Sequence, residues 1–437
     1  MSEITDVRAG WLVVSADRIY KDTGFRIRDG IVQEILPNKE LTGNDLWDFS
    51  DMIVCHSFSD MHSHLYSSLL KNISMPQVQL RENLETFWWP QLENRQTAET
   101  IGASAAYSAM QHLSSGCTFV NDILEAPLAE EGERLNTEEN ILRRAGIKGV
   151  LALESNERIS RENGLSCLAE NEDFVKRHKT DPAIKGAICT HTLFSSCSEF
   201  LSRASGMARE HDSLFEFHMN EGKEEPEYAQ TVYGMSTAEF YVRYGIWQKG
   251  MHIFANQCSC LTSEEMRIMS GYGIGVASQP ESNALEGSGI ADVQGMLRAG
   301  IRVSLGTDAG EGNMFELMRL MLLMQRGLNG FDDGICERNI FRIAVENGPV
   351  SVGFAHCGTL EKDSCADFLA LKTEPAVPLT EKDIIPEIIW NMNPDSIYCV
   401  VTDGKIRYEN GSTTGIDREQ VISDFRKVYR SFWNRQH

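Results

Sequence analysis

One pattern constrains this chain more than any other. Eight short apolar or β-branched runs end near Asp60, Asp122, Glu154, Thr190, His218, Asn256, Ser278 and Thr307. Between most of them lies a helix-length amphipathic segment, such as Thr97–Leu113 or Leu317–Leu328, and Thr97 is a ready N-cap for the first of these. Eight strand–helix repeats over roughly 300 residues predict a parallel sheet closed into a (β/α)₈ TIM barrel. An open doubly wound sheet is the alternative, although it rarely reaches eight repeats.

The two ends of the chain have a different texture. Trp11–Ser15, Phe25–Arg28 and Ile31–Leu36 are short β-like runs, with the hairpin signal Asp29-Gly30 between the last two. Ala366–Leu371, Ile397–Thr402 and Lys405–Tyr408 repeat the texture near the C-terminus, with Asp403-Gly404 between the last pair. Chain termini often lie close together. The expected division is therefore a small β-sandwich composed of residues 1–55 and 360–437, and a barrel over 56–359.

Charge narrows the partners. The 437 residues carry 41 Lys and Arg against 63 Asp and Glu, a net charge of −22. That excess of acid disfavours a nucleic-acid backbone, which is bound by displacing counterions with Lys and Arg. It equally disfavours an anionic membrane surface. The first ten residues lack a basic start followed by an apolar core, so no signal peptide is expected. The longest apolar stretch, Leu317–Met324, is interrupted by Arg319 and is too short to span a bilayer. The eleven cysteines are odd in number and scattered, which fits reduced thiols of a soluble cytoplasmic protein. Cys258 and Cys260 form the one close pair; with no second pair, a closed zinc site is not expected there.

Three motifs sit at strand ends. His62 and His64 are two apart at the end of the first strand, so their side chains share a face. His218 ends the fifth strand and Glu221 follows it in the loop; Asp308 ends the eighth. Barrel active sites lie at the C-terminal ends of the strands. Three imidazoles and a carboxylate there make a first-row metal site with room for water. Such an ion acidifies bound water, and Glu221 stands where a proton carrier is needed. These residues lead to a metal-assisted hydrolase; they do not identify the substrate.

At these residues the chain resembles the amidohydrolase superfamily, in its cytosine-deaminase-like and chlorohydrolase branch, and is most similar to SsnA-type aminohydrolases. The resemblance runs through Asp60–Tyr66, Phe87–Trp89, Ser115–Thr118, His218–Glu221, Ser282-Asn283, Gly287–Ile290 and Leu305–Asp308, and on to Gly358–Glu361, Ala366-Asp367 and Asp403–Lys405. It implies metal ligation by His62, His64, His218 and Asp308, with Glu221 as general acid/base and Asp308 also contacting the attacking water. It implies that His191, ending the fourth strand, faces the substrate. Two departures stand out. Gln257 occupies the place of the family histidine on the sixth strand, and glutamine cannot carry a proton or a positive charge. Ser278 stands where a histidine ends the seventh strand. The loop after the second strand also departs, reading Asp122-Ile-Leu-Glu125 where relatives often carry histidine.

The reaction expected from the motifs and the resemblance together is hydrolytic deamination of a purine, pyrimidine or pterin-like heterocycle. It would use one divalent metal, with zinc first and iron or manganese as alternatives. Glu221, Asp308 and Gln257 are the catalytic candidates; His191, Ser278, Trp88 and Trp89 are the substrate-binding candidates, the tryptophans by stacking, with helix packing as the competing role. Cyclic amide or imide hydrolysis, dechlorination, or an inactive metal- or ligand-binding paralogue are the alternatives left open by Gln257 and Ser278. A homodimer is the expected assembly.

Overall fold

The computed structural model describes residues 4–310, 312–331 and 334–434. The eight apolar runs form eight parallel strands arranged in chain order: Phe58–Ser63, Cys117–Leu124, Lys148–Leu153, Ile184–Thr190, Leu214–Met219, His252–Gln257, Gly275–Ser278 and Val303–Leu305. Most of their residues are buried, because helices cover the outside and side chains fill the interior. Thr97 does cap the helix Ala98–Ser114: its hydroxyl accepts from Thr100 N, and the Thr100 hydroxyl accepts from Thr97 N.

The last strand returns to the first. Asp308 and Ser63 form a parallel bridge, Asp308 N donates to His62 O at 2.7 Å, and His64 N donates to Asp308 O at 3.1 Å. The seam of the barrel is thus made by the residues that carry the predicted chemistry. Gly306 permits this approach, since a Cβ there would lie 2.8 Å from both Cβ and N of His62. Gly306→Ala is expected to destabilise the protein by about 3 kcal/mol through overpacking, read as a lower urea midpoint.

Nine strands from the two ends form a second sheet: eight follow one hydrogen-bonded path, and Arg18–Lys21 pairs with Ile4–Ser15 off that path. The N-terminal strands meet the C-terminal ones where Asp45–His56 pairs antiparallel with Phe368–Lys372. Both hairpin signals are realised: Asp29 and Gly30 have φ of 52° and 77°, and Asp403 and Gly404 have 50° and 65°. Positive φ at both central residues matches the right-handed twist of the flanking strands. Phe25, Phe49 and Phe368 pack together in this sheet's own core. Residues 1–3 and 435–437 of the terminal segments lie outside the described residues.

A buried ion pair joins the two sheets. Lys148 opens the third barrel strand, so it lies at the end of the barrel opposite the strand C-termini. Its ammonium contacts Asp367 at 2.8 Å and Asp403 at 2.5 Å. Lys148→Met leaves Asp367 buried without its cation and should cost about 3 kcal/mol or more, measurable as a lower thermal midpoint. The C-terminal helix Arg418–Phe432 packs on Ala98–Ser114, with the Tyr107 and Phe425 rings stacked 4.3 Å apart. No helix among the described residues is long and apolar enough to cross a membrane.

Candidate active site

The first strand presents His62 and His64, and the fifth presents His218. Nitrogens of the three rings lie within 4.8 Å of one another, and all three residues are buried. His64 Nδ1 lies 2.7 Å from Ile123 O, which makes it the protonated nitrogen and leaves Nε2 free as a ligand. Both ring nitrogens of His62, and Nδ1 of His218, are buried without a hydrogen-bond partner. Burial, and then the charge of His64 on His62 and of His62 on His218, hold both imidazoles well below their usual range. Neutral, unpartnered imidazoles pointed at one another fit a divalent cation and little else.

Asp308 completes this group from the seam. Its Oδ1 lies 3.3 Å from His64 Nε2 and 3.9 Å from His62 Nε2. Its Oδ2 accepts from Gln257 Nε2 at 2.6 Å and from Ser282 Oγ at 2.9 Å. Gln257 is fixed in turn: its Oε1 accepts from Asn283 Nδ2 at 2.5 Å, and its amide N donates to Gln279 Oε1 at 2.9 Å. Gln257, Cys258 and Asp308 have φ of 75°, 57° and 61°. Left-handed backbone at consecutive non-glycine residues is strained, and such strain clusters at functional sites. Cys258 and Cys260 join no metal-fit group among the described residues.

Glu221 lies in the loop after the fifth strand, 6% exposed. Burial, and then the charges of Glu286 and Asp308, push its carboxyl well above the usual range. Glu286 is itself pushed up to about 8, by burial and then by Asp308, and Trp88 lies beside it. Trp88 and Trp89 belong to a π-helical stretch, Leu84–Leu92, containing Pro90, which has no amide hydrogen to donate. Trp89 faces the other side of the site. Its ring is 6.4 Å from that of His191, and the Arg158 guanidinium lies 5.1 Å over it. The indole nitrogens of both tryptophans are buried without partners.

His191 ends up next to the histidine cluster, its ring 4.9 Å from that of His218. Its Nδ1 contacts Thr192 Oγ1 at 2.9 Å, and its Nε2 faces Glu154 Oε2 at 3.6 Å. Ser278 is buried at the end of the seventh strand, where its carbonyl accepts from Gly306 N at 3.1 Å. The side chain that reaches Gln257 from this strand end is that of the next residue, Gln279.

Several site residues escape motif reading. Asp60 is fully buried and accepts from Thr307 N and its hydroxyl, and it lies 2.9 Å from His112 Nε2. This contact ties the helix Ala98–Ser114 to both sides of the seam. Ser282 and Asn283 fall within a family-like segment, but their contact with Asp308 and Gln257 depends on a fold-back that spacing does not reveal. Glu93 and Glu154 sit among the acids on the His191 side of the site.

A parallel eight-stranded barrel with a metal-fit histidine cluster at its strand ends defines a hydrolase-type barrel. The chain belongs to the amidohydrolase family, whose model matches residues 53–407. It is accordingly a hydrolase acting on C–N bonds. A 5-methylthioadenosine/S-adenosylhomocysteine deaminase of Bacillus cereus is 24% identical over 431 residues, covering 97% of this chain and 95% of the relative. An adenosine deaminase from Xanthomonas campestris, solved with bound zinc, superposes with TM-score 0.88 at 17% identity, covering 99% of both chains. The atrazine chlorohydrolase of Arthrobacter aurescens, complexed with zinc, gives TM-score 0.85 at 18% identity, covering 97% of this chain and all of that one.

Proposed function

We propose that the chain catalyses metal-dependent hydrolytic deamination of a purine, pyrimidine or pterin-like heterocycle. The observation that carries the reading is the buried Glu221 carboxyl beside Asp308, which itself faces His62 and His64 in a histidine cluster where the His62 nitrogens and His218 Nδ1 have no hydrogen-bond partner. The deaminase relatives support the choice of an amino leaving group over an amide or a halide.

His62, His64, His218 and Asp308 would hold one divalent ion, with zinc favoured by the zinc-bound neighbours. Once bound, the ion supplies Lewis acidity that makes water a nucleophile near neutral pH. Glu221 takes the proton that the water gives up. Burial favours its neutral form, so the proton stays on the carboxyl until a ring nitrogen accepts it. Asp308 orients the water through Oδ1, while Gln257 and Ser282 hold Oδ2. Gln257 is a positioning residue: it cannot carry a proton, but it fixes the carboxylate that faces the histidines. His191 and Trp89 stand on the substrate side, and Trp88 and Ser278 complete the proposed walls.

Metal content tests the reading first. After metal supplementation the purified protein should hold about one equivalent or more at this site, and less than about half would sink the proposal. Gln257→Leu should lower kcat by about 10- to 100-fold, since it frees Asp308 and leaves Asn283 Nδ2 without its acceptor. An unchanged kcat would remove Gln257 from the site's function.

The same proposal includes a homodimer, testable by sedimentation velocity, and a reducing cytoplasmic setting, with which free cysteines are compatible. It also includes the division into a barrel at 56–359 and a terminal unit from 1–55 and 360–437.

A further inference from the structure

Two thiols meet where the barrel joins the terminal sheet, beside Lys148 and away from the catalytic rim. Cys357 Sγ lies 3.7 Å from Cys365 Sγ, eight positions along the chain. Cys357 packs with Met61, Phe119 and Phe354 in one apolar cluster, whereas Cys365 bridges to Ile31 of the terminal sheet. The backbone around them is pinned. Cys365 N donates to His356 O at 2.8 Å, Gly358 N to His56 Nε2 at 2.9 Å, and Asp363 N to Val32 O at 2.8 Å. A disulfide bond is about 2.05 Å long. Rotation of the two side chains can supply the approach that remains.

The two thiols are not equivalent. Cys357 is 5% exposed, and Cys365 is more open to solvent. The hydrogen bond runs from Cys357 to Cys365; it holds the Cys365 thiol below its ordinary range and pushes the Cys357 thiol well above it. The positive charge of Lys148 favours a thiolate at either sulfur. An accessible thiolate beside a buried thiol is the arrangement of an attacking and a resolving cysteine.

A metal ion suits the same place less well. Asp367 supplies the third ligand atom within reach of the two sulfurs. Both of its oxygens already accept from Lys148 Nζ, at 3.0 and 2.8 Å, and Oδ1 also accepts from Asp403 N at 2.7 Å. A cation held there would sit against the Lys148 ammonium.

We propose that Cys357 and Cys365 are a peroxide-reactive pair that closes reversibly into a disulfide. The Cys365 thiolate attacks one oxygen of a hydroperoxide. The O–O bond breaks, Cys365 becomes a sulfenic acid, and the other oxygen leaves and takes up a proton. Cys357 sulfur then attacks the sulfenic sulfur: the S–S bond forms, the S–O bond breaks, and the Cys357 proton leaves with the oxygen as water. With hydrogen peroxide, two thiols and one peroxide give one disulfide and two waters. A dithiol reductant reverses the closure by exchange, becoming a disulfide itself.

The test treats the reduced whole chain with hydrogen peroxide under native conditions. The protein is then alkylated and digested with trypsin, which cuts at Lys362 between the two cysteines. The expected product is the Cys357 and Cys365 peptides joined, two hydrogens lighter than the separate pair, and parted again by dithiothreitol. Cys357→Ser should hold Cys365 as a sulfenic acid that dimedone labels, and Cys365→Ser should leave Cys357 unlabelled. Both cysteines still alkylated after peroxide treatment would overturn the proposal, as would Cys365 driven to sulfinic acid with no linked peptide. Bound zinc that blocks the linkage and is lost in both serine variants would make the pair a metal site and would also overturn it. Should either variant fail to fold, the linked peptide in the unaltered protein decides alone. None of these readouts uses turnover or the catalytic metal, so the proposed function stands or falls separately.

Discussion

Glu221→Gln should lower kcat by about 10³-fold while metal content stays unchanged. The amide keeps the shape of the side chain but can neither take a proton from water nor pass one to a ring nitrogen. Glu221 is not one of the four proposed metal ligands, so occupancy should survive. The pH profile gives a second readout. The water and Glu221 must hold one proton between them for the carboxyl to deliver it to the ring nitrogen, so the rate should fall on the basic side once that proton is lost. Glu286 helps to keep that proton on, because a neighbouring carboxylate disfavours a second negative charge. Glu286→Gln removes that repulsion and should move the basic limb to lower pH. A basic limb that stays in place would show that Glu286 does not act on Glu221. A Glu221→Gln enzyme with full activity would remove Glu221 from the mechanism.

Asp308→Asn should cost still more, about 10⁴-fold in kcat, together with weakened metal retention. The carboxylate is engaged on both oxygens. Oδ2 accepts from Gln257 and Ser282, while Oδ1 faces His64 and His62. An asparagine amide must therefore turn its NH₂ either onto the donating Gln257 or toward the histidines, where a cation would be repelled. Neither orientation satisfies both sides. The backbone seam should persist, because Asp308 N and O make their bonds to His62 and His64 whatever the side chain. A folded, metal-depleted protein by circular dichroism and elemental analysis is the expected outcome. Full metal content with normal turnover would contradict the role given to Asp308.

The barrel was legible because most strands are short, mainly apolar runs, and strand order follows chain order. His62, His64, His218 and Asp308 were legible for a related reason: all four lie at the ends of such runs, where barrel geometry brings them together. The terminal sheet was legible in its hairpins, since Asp29-Gly30 and Asp403-Gly404 require the backbone they adopt. What lay beyond reach depends on contacts between distant segments. Gln279, rather than Ser278, reaches Gln257, because the chain turns at the end of the seventh strand and the next side chain swings inward. Asp60 meets His112 across 52 positions and Thr307 across 247, and no local period encodes either contact. Glu125 was visible as a departure in the loop after the second strand. Its grouping with Glu154, Glu93 and His191 appears only once three more strand ends are brought to the same rim.

The central claim is that this rim releases ammonia from an aminated heterocycle. Metal-loaded protein should therefore be assayed for ammonia against a panel of amino-substituted purines, pyrimidines and pterins, beside chloro-substituted and cyclic amide analogues. Metal-dependent ammonia release from at least one aminated ring, lost in Glu221→Gln, is the predicted result. Fully metal-loaded protein that frees no ammonia from the panel, but opens a cyclic amide or releases chloride, would contradict it.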